Sequence, residues 1–141
     1  MYENYSRQAL PSKEYRELLG SALVVFNSNN AFIIENILES DNNNLYTWHK
    51  LIDYTPGELS SPIKRTIAEN SNTDITNLFS HLIQKRNRIV HSFQITSPDR
   101  EQILATKDNK HRQFCISKKY LLDFIKENED LNDLLHNYRG Y

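Results

Sequence analysis

The chain has 141 residues, 38% of them hydrophobic and 25% charged, with a formal net charge of −1 and one cysteine. That is the size and composition of one domain (1–141) around one core. The lone Cys115 excludes an internal disulfide framework and a cysteine-rich zinc site. The near-neutral balance excludes a protein that coats nucleic acid by bulk charge, so any RNA must be held at a local site, one completed by a second subunit.

Residues 1–11 are polar and aromatic without period and read as a flexible N-terminal arm ending at Pro11. Ser12 offers an N-cap, and Tyr15, Leu18, Leu19, Ala22, Val25 and Phe26 recur at helical spacing, predicting a helix to about Leu38. The poor helix formers at 27–30 predict a bend in it. The longest apolar runs, 22–26 and 31–34, are far shorter than the roughly 20 residues that span a bilayer. No basic-then-apolar leader is visible, so a cytoplasmic protein with no membrane contact is expected. Residues 41–44 read as a linker, 45–54 as a short helix, and Pro56-Gly57 as punctuation before another short helix around Pro62, Ile63, Ile67 and Ala68.

Thr73 or Asp74 caps the clearest element, a helix over 73–95 carrying Ile75, Leu78, Phe79, Leu82, Ile83, Ile89, Val90 and Phe93, with Pro98 beyond it. Segments 102–106 and 111–116 flank a polar turn at 107–110 and predict a β-hairpin. Ser117 caps a periodic final helix through Tyr120, Leu121, Phe124, Ile125, Leu131, Leu134, Leu135 and Tyr138, closed by Gly140. The expected fold class is all-α, an up-and-down helical bundle with a small β-hairpin insertion before the C-terminal helix.

Function is carried by an anomaly on the helix over 73–95. At about 100° per residue, Ile75, Phe79, Leu82, Val90 and Phe93 fall within about 40° of Arg86, which therefore sits where a leucine is expected. An unpaired buried charge costs several kcal/mol, so Arg86 must open onto a cleft or find partners. On one flank Thr76, Ser80, Asn87, His91 and Gln94 form a polar strip without formal charge. Asn87 and His91, four residues apart, share a face. Arg86 lies about 140° from His91 in projection, but its long side chain can swing towards that strip, so a cation, an amide and a titratable imidazole can serve one cleft. These groups suit RNA cleavage, in which the 2′-hydroxyl is the nucleophile. Histidine moves protons, the arginine fork stabilises the phosphorane, and asparagine fixes the imidazole tautomer or binds phosphate. The competing reading is an arginine that snorkels from the edge of the core beside an unconnected surface histidine.

Arg86-Asn87-Arg88-Ile89-Val90-His91 resembles the Arg-x4-6-His motif of the HEPN superfamily (higher eukaryotes and prokaryotes nucleotide-binding domains), in which a polar residue, often Asn, follows the arginine. The resemblance extends loosely to the helix layout. It implies a metal-independent endoribonuclease whose two motif helices face each other across a homodimer axis, with no cofactor and no metal. By that resemblance Arg86 binds and stabilises phosphate, His91 is the acid–base group, and Asn87 orients. The products expected are a 2′,3′-cyclic phosphate and a 5′-hydroxyl. Family members commonly act as toxins or as effectors of phage defence and abortive infection on transfer or messenger RNA. They are held by an antitoxin or a larger defence complex.

Lys85 and Arg88 flank the motif and are candidate substrate-binding residues that track an RNA backbone, with solvated surface charge as the alternative. His111-Arg112 and Lys118-Lys119 form a small basic cluster. Trp48 beside His49 can stack a base but reads more simply as core. His49, His81, His111 and His136 form no metal pattern and read as surface, and the three glycines make no phosphate loop. A non-catalytic HEPN-like nucleotide- or protein-binding module, and a plain helical interaction protein, are the alternatives to the ribonuclease.

Overall fold

In the computed structural model, which describes residues 2–140, two long helices lie side by side and a third packs against them. The elements are α1 (Lys13–Ser40), α2 (Trp48–Ile52), a 3-10 turn (Pro56–Leu59), α3 (Ser60–Arg65), α4 (Asp74–Val90), β1 (Phe93–Thr96), β2 (Gln102–Lys107), β3 (Gln113–Ile116) and α5 (Lys118–Arg139). The long helices start where their caps are. Ser12 Oγ accepts from Tyr15 N at 3.1 Å, and Ser117 Oγ accepts from Tyr120 N at 3.0 Å. Gly140 ends α5 in the left-handed region at φ 85°, a conformation that disfavours a Cβ.

Contacts advance together along α1 and α5, from Tyr15 with Ile116, through Asn29 with Asn128, to Ser40 with Tyr138. The two helices therefore run in the same direction. On α4 the order reverses, His81 meeting Glu127 and Lys85 meeting Tyr120, so α4 is antiparallel to α5. The rings of Phe79 and Phe124 stack on Phe26 with centroids 5.9 and 6.1 Å away. This aromatic stack locks the three helices together, and Ile33, Ile37, Leu82, Leu121 and Leu131 extend it as fully buried core.

The predicted bend in α1 does not interrupt the helix, which is continuous through Asn27–Asn30. Asn29, 2% exposed, donates to Asn128 O at 2.7 Å and to Asn128 Oδ1 at 3.1 Å, while Asn132 Nδ2 donates to Asn29 Oδ1 at 3.2 Å. Hydrogen bonds across the helix pair thus compensate the weak propensity of this stretch. Asn29→Ala should cost about 1–3 kcal/mol in urea unfolding, because it removes the donor to Asn128 O and Oδ1 and the acceptor of Asn132 at once.

The all-α, up-and-down bundle with a hairpin insertion is corrected by the sheet. The strand order is β1-β2-β3, antiparallel throughout, with Ile95 opposite Ile103 and Ala105 opposite Cys115. The expected hairpin is only two strands of three, and the molecule is mostly helical with a mixed α and β architecture. The helix expected over 73–95 stops at Val90, and Phe93 begins β1. Ser92 Oγ donates to Ile89 O at 2.6 Å and closes the last turn. Beyond it, pairing with β2 satisfies the backbone that a longer helix would have claimed. Tyr15 ties sheet to helices, its hydroxyl donating to Ile116 O at 2.6 Å and accepting from Leu104 N at 3.1 Å.

Residues 2–12 form no helix or strand and make contacts with α1 and β1. Arg16 donates to Pro11 O at 2.9 Å and pairs with Glu3 at 2.8 Å, and Gln94 donates to Ala9 O at 2.7 Å. Between α1 and α4 the two expected short helices are present, reduced to α2 and to α3 with its preceding turn. By length and composition α1 is the one described helix able to cross a membrane, with mean hydropathy 1.2 over its best 18 residues. Its apolar side supplies Phe26, Ile33 and Ile37 to the core.

Candidate functional site

Helix α4 positions the site. Asn72 Oδ1 accepts from Asp74 N at 2.9 Å and starts the helix, Asp74 complements the positive end of its dipole, and Ile75, Phe79, Leu82 and Ile89 bury one face. Toward the C-terminal end that face leaves the core. Ile83 and Arg86 are half-buried, Val90 is 48% exposed, and Phe93 on β1 is 44% exposed. Arg86 therefore stands where the apolar stripe emerges from the protein.

Its partners are neutral. Arg86 Nη1 donates to Asn87 Oδ1 at 3.2 Å, and its guanidinium carbon lies 5.6 Å from the centroid of the Phe26 ring. Among the described residues Arg86 forms no ion pair. The ring quadrupole and the amide hold the cation without neutralising it, so its charge remains available to an anion. Asn87 orients Arg86 here, rather than the imidazole.

His91 is the C-cap of α4. Its backbone N–H donates to Asn87 O at 2.9 Å, and its side chain is exposed. Asn87 and His91, four residues apart, are joined by this backbone bond. Val90 lies about 40° from Arg86 round the helix and Phe93 follows on β1, both exposed, whereas His91 lies about 140° round from Arg86 at the helix end.

The two candidate substrate-binding cations point elsewhere. Lys85 Nζ pairs with Glu127 at 2.5 Å and lies 4.8 Å from the centre of the Tyr120 ring, and Arg88 donates to the carbonyl of Lys107. Both line a cavity between α4, the β2–β3 turn and α5. They are neither free solvated charges nor part of the Arg86 face. Glu127, which also pairs with His81 at 2.5 Å, and Tyr120 were not anticipated. Their nearness to α4 follows from helix packing across some 40 residues of sequence, which no local pattern reports.

Burial pushes the Tyr120 phenol up to about 12, with the Arg88 guanidinium opposing and the Glu127 carboxylate adding. A phenol whose folded pKa exceeds its ordinary 10 contributes stability that is complete below pH 10 and lost as pH rises toward 12. Alkaline unfolding should therefore set in above pH 10, with a loss of up to about 2 kcal/mol, and Tyr120→Phe should flatten that limb in a pH series of urea melts.

Of the other histidines, His49, His81 and His111 are exposed, whereas His136 is half-buried with its ring 4.8 Å from Phe32. Trp48, read as core, is 38% exposed. Among the described residues no group of His, Cys, Asp and Glu is arranged to hold a metal ion. Comparison of the chain with protein-family models, curated proteins and solved structures found no significant match.

Proposed function

We propose that this chain is an endoribonuclease of the HEPN type, cutting RNA in a composite site formed by two copies of α4. The observation that carries the reading is Arg86, a half-buried guanidinium held by an amide and an aromatic ring but paired with no carboxylate among the described residues, five residues before an exposed His91 at the end of the same helix. A structural arginine in an apolar stripe is normally neutralised or extended into water. This one keeps its charge at the edge of an open apolar face.

In the reaction, an imidazole takes the proton of the RNA 2′-hydroxyl, whose oxygen attacks the adjacent phosphorus. Negative charge grows on the non-bridging oxygens, where the Arg86 fork meets it. The 5′-oxygen of the next nucleotide leaves and takes up a proton, giving a 2′,3′-cyclic phosphate and a 5′-hydroxyl. In the composite site a twofold axis beside His91 brings a second imidazole, which divides the base and acid roles between two groups. Exposed Val90 and Phe93 are the apolar contacts for that axis. No metal or cofactor is required. The setting is the cytoplasm, as a toxin or phage-defence effector acting on transfer or messenger RNA, restrained by an antitoxin or a larger complex.

Purified protein incubated with total RNA in EDTA tests this. Cleavage should persist, vanish in His91→Ala, and coincide with a dimer by light scattering. A monomer with no activity, or activity indifferent to His91, contradicts the reading and favours a non-catalytic binding module.

A further inference from the structure

The side of α4 that meets the sheet and α5 carries a second cluster of chemistry. His81, Lys85 and Arg88 line a cavity of about 260 Å³ whose other walls are Phe114 of β3, Tyr120 of α5 and the turn at Asp108 and Asn109. The Phe114 and Tyr120 rings are both half-buried, with centroids 5.9 Å apart. The turn beside it brings Lys107, Lys110 and Arg112 against Asp108 alone. Asp108 is already held by the backbone N–H groups of Lys110 and Arg112 and by the Arg112 side chain. Arg88 spends a donor on the Lys107 carbonyl and keeps the rest of its fork. Glu127 neutralises Lys85 and pairs with His81, so the positive charge around this aromatic floor comes from Arg88 and from Lys107, Lys110 and Arg112 of the turn.

The cavity lies on the same helix as the motif. His91, Arg88, Lys85 and His81 succeed one another along one side of α4, within an arc of roughly 120° and over about 15 Å of helix axis. We infer that this cavity is a subsite for single-stranded RNA, in which a base beyond the cleaved bond stacks on Phe114 while Arg88 and the β2–β3 turn hold the adjoining phosphates. Aromatic floor and basic rim are the combination that binds single strands irrespective of sequence. This deepens the ribonuclease reading and rests on it for the choice of RNA as ligand.

Binding is separable from cleavage. Fluorescein-labelled octaadenylate and octauridylate, titrated by anisotropy into full-length His91→Ala protein, report the subsite without turnover. Phe114→Leu, which keeps packing and deletes the ring, should weaken octaadenylate by roughly 10-fold, and Phe114→Tyr should restore it. Arg88→Gln should weaken both strands and lower the salt slope by about 1. Lys50→Gln, the same charge loss on exposed α2, should change neither. Should Phe114→Leu upset folding, Arg88→Gln decides alone. Affinities that ignore both Phe114 and Arg88, or that fall equally with Lys50→Gln, overturn the subsite even where wild-type protein cuts RNA. Ring-dependent binding by a parent protein that cuts nothing would instead retire the nuclease reading and keep the subsite.

Discussion

Arg86→Ala is expected to lower the rate of RNA cleavage by about 10²- to 10³-fold, the cost of removing one fixed donor from a developing oxyanion. His91→Ala is expected to lose about 10²- to 10⁴-fold through acid–base chemistry. Single-turnover cleavage of a labelled RNA measures both. Arg86→Lys should recover little, because an ammonium keeps the charge but not the fork that matches two phosphate oxygens. The fold should survive all three changes. Arg86 is half-buried and makes no ion pair among the described residues, and His91 is exposed. Equal melting temperatures beside unequal rates separate chemistry from stability. An Arg86→Ala protein that cuts at the wild-type rate would reduce the guanidinium to a snorkelling stem.

Val90→Glu should have an effect of comparable size by a different route. Val90 is 48% exposed beside His91, so a carboxylate there costs the single chain little. In a dimer whose axis passes this face, two such carboxylates are buried close together, at a cost of several kcal/mol. The expected result is a shift from dimer to monomer in light scattering and a fall in cleavage of more than about 100-fold. Circular dichroism should remain that of the parent. A Val90→Glu protein that stays dimeric and active would place the axis elsewhere.

The termini of α1 and α5 were legible because each begins at one serine whose hydroxyl closes the first turn, and such a cap is a local signal. The end of α4 was not. Val90 and Phe93 fit the helical stripe, while Phe93 and Ile95 also fit a two-residue alternation. The decision rests on Ile103 and Ala105, which pair with that segment from the next strand. The anomaly of Arg86 was visible in the spacing of its apolar neighbours. Its resolution was only partly visible, since Asn87 is adjacent but Phe26 is brought in by packing of α1. Lys85 shows the converse. Read alone it is a solvated cation beside a motif, and only the approach of α5 reveals Glu127 and Tyr120 around it.

The most direct measurement is the chemical identity of the new RNA ends. A defined oligonucleotide cleaved in EDTA and resolved by mass spectrometry should yield a 2′,3′-cyclic phosphate on one fragment and a 5′-hydroxyl on the other, both formed at least about 100-fold more slowly by Arg86→Ala. Fragments ending in a 3′-hydroxyl and a 5′-phosphate would mean that water, not the ribose, attacks the phosphorus, and that this pairing of Arg86 with His91 does something else.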